Sequence, residues 1–190
     1  RGRLHSGSLW KLAVPDPGVF AKRHIPGDIP ELAAYILVDL SGSMSHYANG
    51  GAKIDHAKNA ACVLSETCRE LKIPHAITGF RESFHSCTVE HYPVVTYQDN
   101  DSSRIAGLSA NGNNRDGYSI RVATNELAVR PEPRKILFVL SDGLPAALGY
   151  SGPYACQDVR EAVMEARKKG IRVISLRFGG TTSEAEFKLM

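Results

Sequence analysis

The chain has 190 residues, a length that fits one domain with a hydrophobic core, and 43% of its residues are apolar. It carries 23 Lys and Arg against 20 Asp and Glu, and the formal charge of +3 is too small to indicate nucleic acid or an anionic membrane surface as a partner. The longest apolar runs, 33–38 and 136–140, are too short to span a bilayer, so we expect no membrane insertion.

Cysteine usage and the chain start bear on the compartment. The four cysteines form no CxxC pair, which argues against a zinc knuckle or a thioredoxin motif. No apolar segment typical of a secretory signal follows the first residues. Both features favour a reduced, cytoplasmic protein. The first residue is not Met, so we expect the chain to be a domain or fragment of a longer protein.

The first 31 residues contain four of the ten prolines and are predicted to form an irregular N-terminal arm packed on the domain. The domain itself is predicted over 32–190. A continuous apolar run over 33–40 ends in the polar loop 41–51, which is typical of a strand buried on both faces.

A helix is predicted over 53–72, because its apolar residues recur every three or four positions. Strands are predicted over 75–80 and 84–95, paired as a hairpin through 81–83. The polar stretch 98–114 is predicted to be a loop, and 117–129 a helix.

The last part of the chain repeats the alternation. A second buried strand is predicted over 135–140, a helix over 156–169 with Gly170 as its C-terminal cap, and a third buried strand over 171–178. This order predicts an α/β fold, a three-layer α/β/α sandwich with a mainly parallel central sheet and one short antiparallel edge strand.

Two of the buried strands end in an aspartate. Asp39 begins the sequence Asp-Leu-Ser-Gly-Ser, and Asp142 follows the strand over 135–140. Ligands of an open parallel sheet bind beyond the carboxyl ends of its strands. If both strands are central, the two carboxylates meet at one edge, and the loop 111–117 can reach the same place.

The residue types at this edge favour a hard cation. Carboxylate, hydroxyl and amide oxygens suit Mg²⁺, Mn²⁺ or Ca²⁺ rather than zinc. Gly42 permits a tight turn that lets the Ser41 and Ser43 hydroxyls face the same ion as Asp39. Neutral hydroxyl ligands leave residual positive charge and an open position, which favours a carboxylate from a partner.

Residues 39–43 resemble the DxSxS motif of the metal-ion-dependent adhesion site (MIDAS) in von Willebrand factor A (VWA) domains, and 140–143 resemble the later Asp motif of that family. Residues 2–4, 114–117 and 130–137 are similar to the VWA region of the CobT subunit of cobaltochelatase and to NorD-type proteins linked to nitric oxide reductase activation. The resemblance covers residues 2 to about 178.

The resemblance implies metal ligation by Asp39, Ser41, Ser43 and Asp142. Many VWA domains add a Thr from the middle loop; here Asn114 stands at that position, and Asp116 lies two residues on, so either could supply the remaining oxygen. Only 12 residues follow position 178, so we expect the usual last elements of a VWA domain to be short, absent or trimmed.

The implied function is that of a non-enzymatic binding module. A bound Mg²⁺, or Mn²⁺ or Ca²⁺, would bind an acidic residue on a partner protein. By resemblance that partner is a MoxR-type AAA+ ATPase, and the pair acts in metal insertion or metalloenzyme activation.

Two other functions stay open. One is a hydrolase that uses the same metal to activate water, with His46 as the only histidine close in sequence to the site. The other is an extracellular adhesion domain, against which the cysteines and the missing signal count.

Other sites are disfavoured by the residues themselves. The sequence contains neither the nucleophile elbow G-x-S-x-G of serine hydrolases nor a Walker A sequence. A haloacid-dehalogenase-like phosphatase has a pattern that resembles D-x-D after its strand, and here Ser41 stands in the place of the second Asp. His85, Cys87 and His91 share a strand face by parity and could suggest zinc, but an ordinary edge-strand face is the simpler interpretation.

Overall fold

The computed structural model describes residues 3–4, 20–21, 31–48, 50–86, 88–143 and 145–179. The predicted arm therefore lies largely outside the described residues; within it, Arg3–Leu4 pairs antiparallel with Phe20–Ala21. Cys87 and the C-terminal residues 180–190 also lie outside the described part.

A mixed five-stranded sheet forms the centre of the domain. Its spatial order is β3-β2-β1-β4-β5, with β3 antiparallel to β2 and every other pair parallel. The predicted mainly parallel sheet with one antiparallel edge strand is thus confirmed. The strands are β1 Leu32–Asp39, β2 His75–Glu82, β3 Val89–Val95, β4 Arg134–Ser141 and β5 Ile171–Arg177.

Helices cover both faces of this sheet, as a three-layer sandwich requires. α1 (Lys53–Glu70) packs on the face that carries Ile36 and Val38 of β1. α2 (Asp116–Ala128) and α3 (Gly152–Lys168) pack on the opposite face, against Tyr35 and Leu37. Because side chains alternate along a strand, the continuous apolar run of β1 supplies both cores.

The predicted starts of one strand and one helix were wrong by four or five residues. β3 begins at Val89 rather than at 84, because residues 84–86 form a turn that the Ser83 N–H to Thr88 carbonyl bond closes. His85 therefore lies outside the strand and does not share a strand face with His91. α3 begins at Gly152, four residues before the predicted start, because a proline in the first helical turn needs no amide partner.

β1 and β4 are neighbours at the point where the strand order reverses, so their carboxyl ends form the crevice in which such sheets bind ligands. Asp39 ends β1, and Asp142 directly follows β4. Among the described helices, none has the length and apolar character needed to cross a membrane. The cytoplasmic location stays a prediction.

Candidate metal centre

Asp39 is the fully buried carboxylate at the end of β1. Its Oδ1 accepts the backbone N–H of Ser41 at 2.7 Å, and its Oδ2 accepts the hydroxyl of Ser141 at 2.9 Å. Burial raises the pKa of Asp39 to about 6, although these hydrogen bonds act in the opposite direction. The site therefore holds a carboxylate whose charge its neighbours compensate only in part.

A short 3₁₀ turn, Gly42–Ser45, brings two hydroxyls together after β1. The Ser41 and Ser43 Oγ atoms lie 3.1 Å apart, and the fully buried Met44 side chain anchors the turn in the core. Neighbouring ligands of an octahedral Mg²⁺, each about 2.1 Å from the ion, lie roughly 3 Å apart. The two hydroxyls are thus spaced as adjacent ligands of one hard cation.

Asp142 supplies a second buried carboxylate from the end of β4. Its Oδ2 accepts the Lys53 ammonium at 3.0 Å. Its Oδ1 is buried and has no hydrogen-bond partner among the described residues. Because an unpaired buried oxygen costs the full desolvation penalty of that atom, this orphaned Oδ1 fits a bound cation.

Asn114 and Asp116 both come to this edge, but with different atoms. The Asn114 amide nitrogen donates to Asp116 Oδ2 at 2.8 Å and to Asp39 Oδ2 at 3.3 Å. Its oxygen accepts the backbone N–H of Ala146 at 2.8 Å, and since that N–H can only donate, the contact fixes the amide orientation. This geometry favours Asp116 over Asn114 as the oxygen ligand from the middle loop.

Asp116 is the first residue of α2 and is buried beside the other two carboxylates. Its pKa lies well above its usual value, first because of burial and then because of the charges of Asp39 and Asp142. Burying Asp116 where the charges of Asp39 and Asp142 repel its own is unfavourable without a compensating cation.

The middle loop, residues 111–114, is held in place by its backbone. It bonds to the chain after β1, to the end of β2 and to the segment after β4 through five contacts, which are Asn111 N to Leu40 O, Gly42 N to Gly112 O, Glu82 N to Asn113 O, Asn113 N to Glu82 O and Asn114 N to Ala146 O. Gly112 has φ +90°, and a Cβ there would lie 2.4 Å from the Glu82 carbonyl oxygen. Only glycine fits this crossing.

Two residues of the site were not predicted from the sequence. Ser141 donates its hydroxyl to Asp39 and accepts the N–H of Gly143 at 3.0 Å, so it positions both the first strand end and the turn after β4. Lys53 forms the ion pair with Asp142. The available signals were the serine preceding Asp142 and a lysine in the first turn of a helix, and neither pattern is specific.

The described residues contain no group of three or more His, Cys, Asp or Glu side chains arranged to hold a metal ion. A cation at this edge would therefore depend on the serine hydroxyls as well as on carboxylates. That mixture of oxygens suits a hard cation and disfavours zinc.

Exposed apolar side chains surround this edge of the sheet. They lie in the segments that follow β1, β2 and β4 or in the first turns of α2 and α3, and comprise Tyr47, Phe84, Tyr118, Leu148 and Tyr154. Each is at least half exposed. Large apolar groups around a polar centre are typical of surfaces that bind other proteins.

A cavity of about 210 Å³ lies beside the centre, next to Asp116 and Ser141. Valine side chains form much of its wall, namely Val139, Val159, Val163 and Val173. His46 follows the 3₁₀ turn and is exposed. The cavity and His46 are the two features that are relevant to the alternative function as a metal-dependent hydrolase.

Comparison with known sequences points to one kind of domain. The family described as "Cobalamin biosynthesis protein CobT VWA domain" matches residues 105–173. The chain is 35% identical over 184 residues to the uncharacterized protein YojO of Bacillus subtilis, covering 92% of this chain and 28% of that protein. It is 33% identical over 147 residues to Protein NorD of Stutzerimonas stutzeri, covering 74% and 24%. The chain thus spans about a quarter of the length of these relatives.

Solved structures show the same fold at low sequence identity. The PilB minor pilin of Streptococcus sanguinis superposes with a TM-score of 0.63 at 15% identity, covering 84% of this chain and 53% of that one. An aerotolerance-related membrane protein of Bacteroides fragilis gives 0.58 at 18% identity, covering 78% and 68%.

Proposed function

The chain is a von Willebrand factor A domain that resembles the VWA domains of CobT and NorD, and from this premise we propose that it is a metal-dependent protein-binding module. The observation that carries the proposal is the convergence of Asp39, Ser41, Ser43 and Asp142 at the carboxyl ends of β1 and β4. The orphaned Oδ1 of Asp142 supports a cation there.

The metal would be Mg²⁺, with Mn²⁺ or Ca²⁺ as substitutes. Asp39, Ser41, Ser43 and Asp142 would hold it, with Asp116 rather than Asn114 as the middle-loop contributor. When bound, it offers an electrophilic position for an acidic side chain of another protein. The exposed aromatic groups around the site support a protein as the ligand.

The partner we propose is a MoxR-type AAA+ ATPase, and the wider role is metalloenzyme activation or metal insertion. The resemblance to NorD and CobT supports this role. The chain itself would supply recognition, and the ATPase would supply the energy of nucleotide hydrolysis.

Metal binding is the decisive test. Isothermal titration of the 190-residue chain with Mg²⁺ and with Mn²⁺ should give one site for the wild type and none for Asp39→Ala. Asp55→Ala is the matched control, because Asp55 is an exposed aspartate on α1 with only a loose ion pair to Lys58. Equal binding by the wild type and Asp39→Ala would reject the site.

Partner binding is tested separately. A purified MoxR-type ATPase should be retained by the immobilised wild-type chain in Mg²⁺ and released by EDTA, whereas Asp39→Ala should not retain it. Retention that survives EDTA would contradict a metal-bridged contact.

A metal-dependent hydrolase is the second candidate, favoured by the cavity beside Asp116 and Ser141. It predicts turnover of small phosphate or carboxylate esters with Mn²⁺ present, and loss of that turnover in Asp39→Ala. No turnover above buffer in the presence of a bound metal would exclude this activity for these substrates.

A further inference from the structure

Lys53 is placed unusually for a helical lysine. It is the first residue of α1, and its backbone N–H bonds to the carbonyl of His46 at 3.0 Å. The helix dipole puts partial positive charge at this end, so an ammonium group here is disfavoured by its own helix. Its side chain is only 15% exposed, which removes most of the water that would otherwise stabilise the charge.

Asp142 offsets this cost. The Lys53 Nζ lies 3.0 Å from Asp142 Oδ2, while the second oxygen of the same carboxylate is the orphaned Oδ1. The Asp142 carboxylate therefore binds the Lys53 ammonium with one oxygen, while its other oxygen has no donor among the described residues.

The Lys53 stem is also confined. A Cβ at Gly179 would lie 2.9 Å from Lys53 Cε, and the Ala48 methyl group lies against the same position. The lysine is thus held by packing against the chain after β5 as well as by its charge.

We propose that Lys53 is an internal competitor of the divalent cation for Asp142 and sets the affinity of the centre below what its oxygen ligands alone would give. The inference rests on the proposed metal site. A divalent ion bound through Asp142 must either displace the ammonium or tolerate a positive charge a few ångströms away, and each course costs binding energy.

The test is titration of Mg²⁺ and Mn²⁺ into the wild type, Lys53→Met and Lys53→Gln at one ionic strength. Both neutral variants should bind Mg²⁺ more tightly, by about tenfold, a factor that corresponds to a modest part of the Coulomb repulsion between such charges. Lys53→Arg keeps the charge and should not bind Mg²⁺ more tightly than the wild type, since a guanidinium can bond both oxygens of a carboxylate.

Lys58→Met is the matched control, since Lys58 lies on the same helix and pairs with Asp55 away from the centre. Its affinity should equal that of the wild type. Lys53→Gln retains a hydrogen-bond donor for Asp142, so the measurement does not depend on the methionine variant folding well.

A second measurement is the rise in melting temperature on adding saturating Mg²⁺. It should be larger for Lys53→Gln than for the wild type, because the metal-free variant leaves Asp142 without its cation.

Unchanged or weaker Mg²⁺ binding in both neutral variants, beside a wild type that binds, would overturn the role of Lys53 and leave the metal site intact. Failure of the wild type and all variants to bind would overturn both. Tighter binding in the neutral variants alone supports the competition.

Discussion

Asp39 accepts three donors and is still poorly compensated. Ser41, Ser141 and Asn114 all donate to its carboxylate, yet burial raises its pKa to about 6. Hydrogen bonds from neutral groups therefore do not offset the desolvation of this group beside two other acids. A hard cation would offset it, and this agrees with the role that we propose for these residues as metal ligands and their supports.

Replacing Ser141 by alanine removes one donor to Asp39 and one acceptor for Gly143. We expect a loss of about 1–2 kcal/mol in the free energy of unfolding, since the hydrogen bond is buried and its acceptor is ionisable. Mg²⁺ affinity should fall by several fold because Asp39 loses one of the three contacts that hold its orientation.

Ser119→Ala is the control for this serine. The Ser119 hydroxyl is also buried, but it has no hydrogen-bond partner among the described residues. Its removal should not destabilise the domain in urea unfolding, because no hydrogen bond is lost, and should leave the Mg²⁺ titration unchanged. Equal effects of the two changes would mean that Ser141 acts through packing alone.

The sequence predicted the strand-end residues of the site better than their supports. Asp39, Ser41 and Asp142 follow apolar strands, and that local pattern places them at one edge of the sheet. The orientation of Asn114 depends on the backbone of Ala146, and the ion pair of Lys53 depends on a residue 89 positions away. Such contacts leave no mark in local periodicity.

At the scale of elements, α2 and α3 meet closely at one glycine. A Cβ on Gly117 would lie 1.9 Å from Asp158 Oδ2 and 2.9 Å from the Tyr150 hydroxyl oxygen. That hydroxyl donates to Asp158 at 2.7 Å and accepts the N–H of Gly117 at 3.2 Å. The start of α2, and with it Asp116, is therefore fixed by contact with α3.

Gly117→Ala should destabilise the domain by about 2 kcal/mol, because the clash with Asp158 exceeds the gain of about 1 kcal/mol in helix propensity. Urea unfolding measures the change. In Gly107→Ala the new Cβ meets nothing within 4 Å, so this variant should unfold like the wild type. A stabilised Gly117→Ala would show that the Asp158 side chain moves aside at little cost.

Periodicity identified the cores of these elements but not all of their ends. α1 and α2 start within one residue of prediction, because apolar positions mark their buried faces from the first turn. The first turn of α3, from Gly152, is exposed except for Ala155, so its pattern contains little signal. Residues 84–86 were predicted as the start of β3, because their sequence does not differ clearly from that of a strand. They form a turn that is closed by the hydrogen bond from the Ser83 N–H to the Thr88 carbonyl, a contact that local sequence does not predict.

At the scale of the whole molecule, the strand order places the site. Sequence patterning indicated a mainly parallel sheet, but buried parallel strands look alike, so nothing local says which strands are neighbours. Asp39 and Asp142 come close together because β1 and β4 are both central strands and lie next to each other in the sheet.

Cation binding at this centre should stabilise the entire domain, since the proposed ligands come from two central strands, β1 and β4, that lie far apart in the sequence. With Mg²⁺ at about 100 times its Kd, the free energy of unfolding should rise by about 2.7 kcal/mol and the Tm by several degrees. Asp39→Asn should show no such rise, whatever its own starting Tm. A wild-type Tm that ignores saturating Mg²⁺ would contradict the linkage.

The backbone contacts of the middle loop have a dynamic consequence. Its amides at 111, 113 and 114 are bonded to three different parts of the chain, and the amides of Gly42 and Glu82 are bonded to the loop in return. Hydrogen exchange at these positions then requires opening the sheet edge rather than local fraying. Although residues 111–114 are irregular in secondary structure, their bonded amide hydrogens should therefore exchange as slowly as those of the central strands.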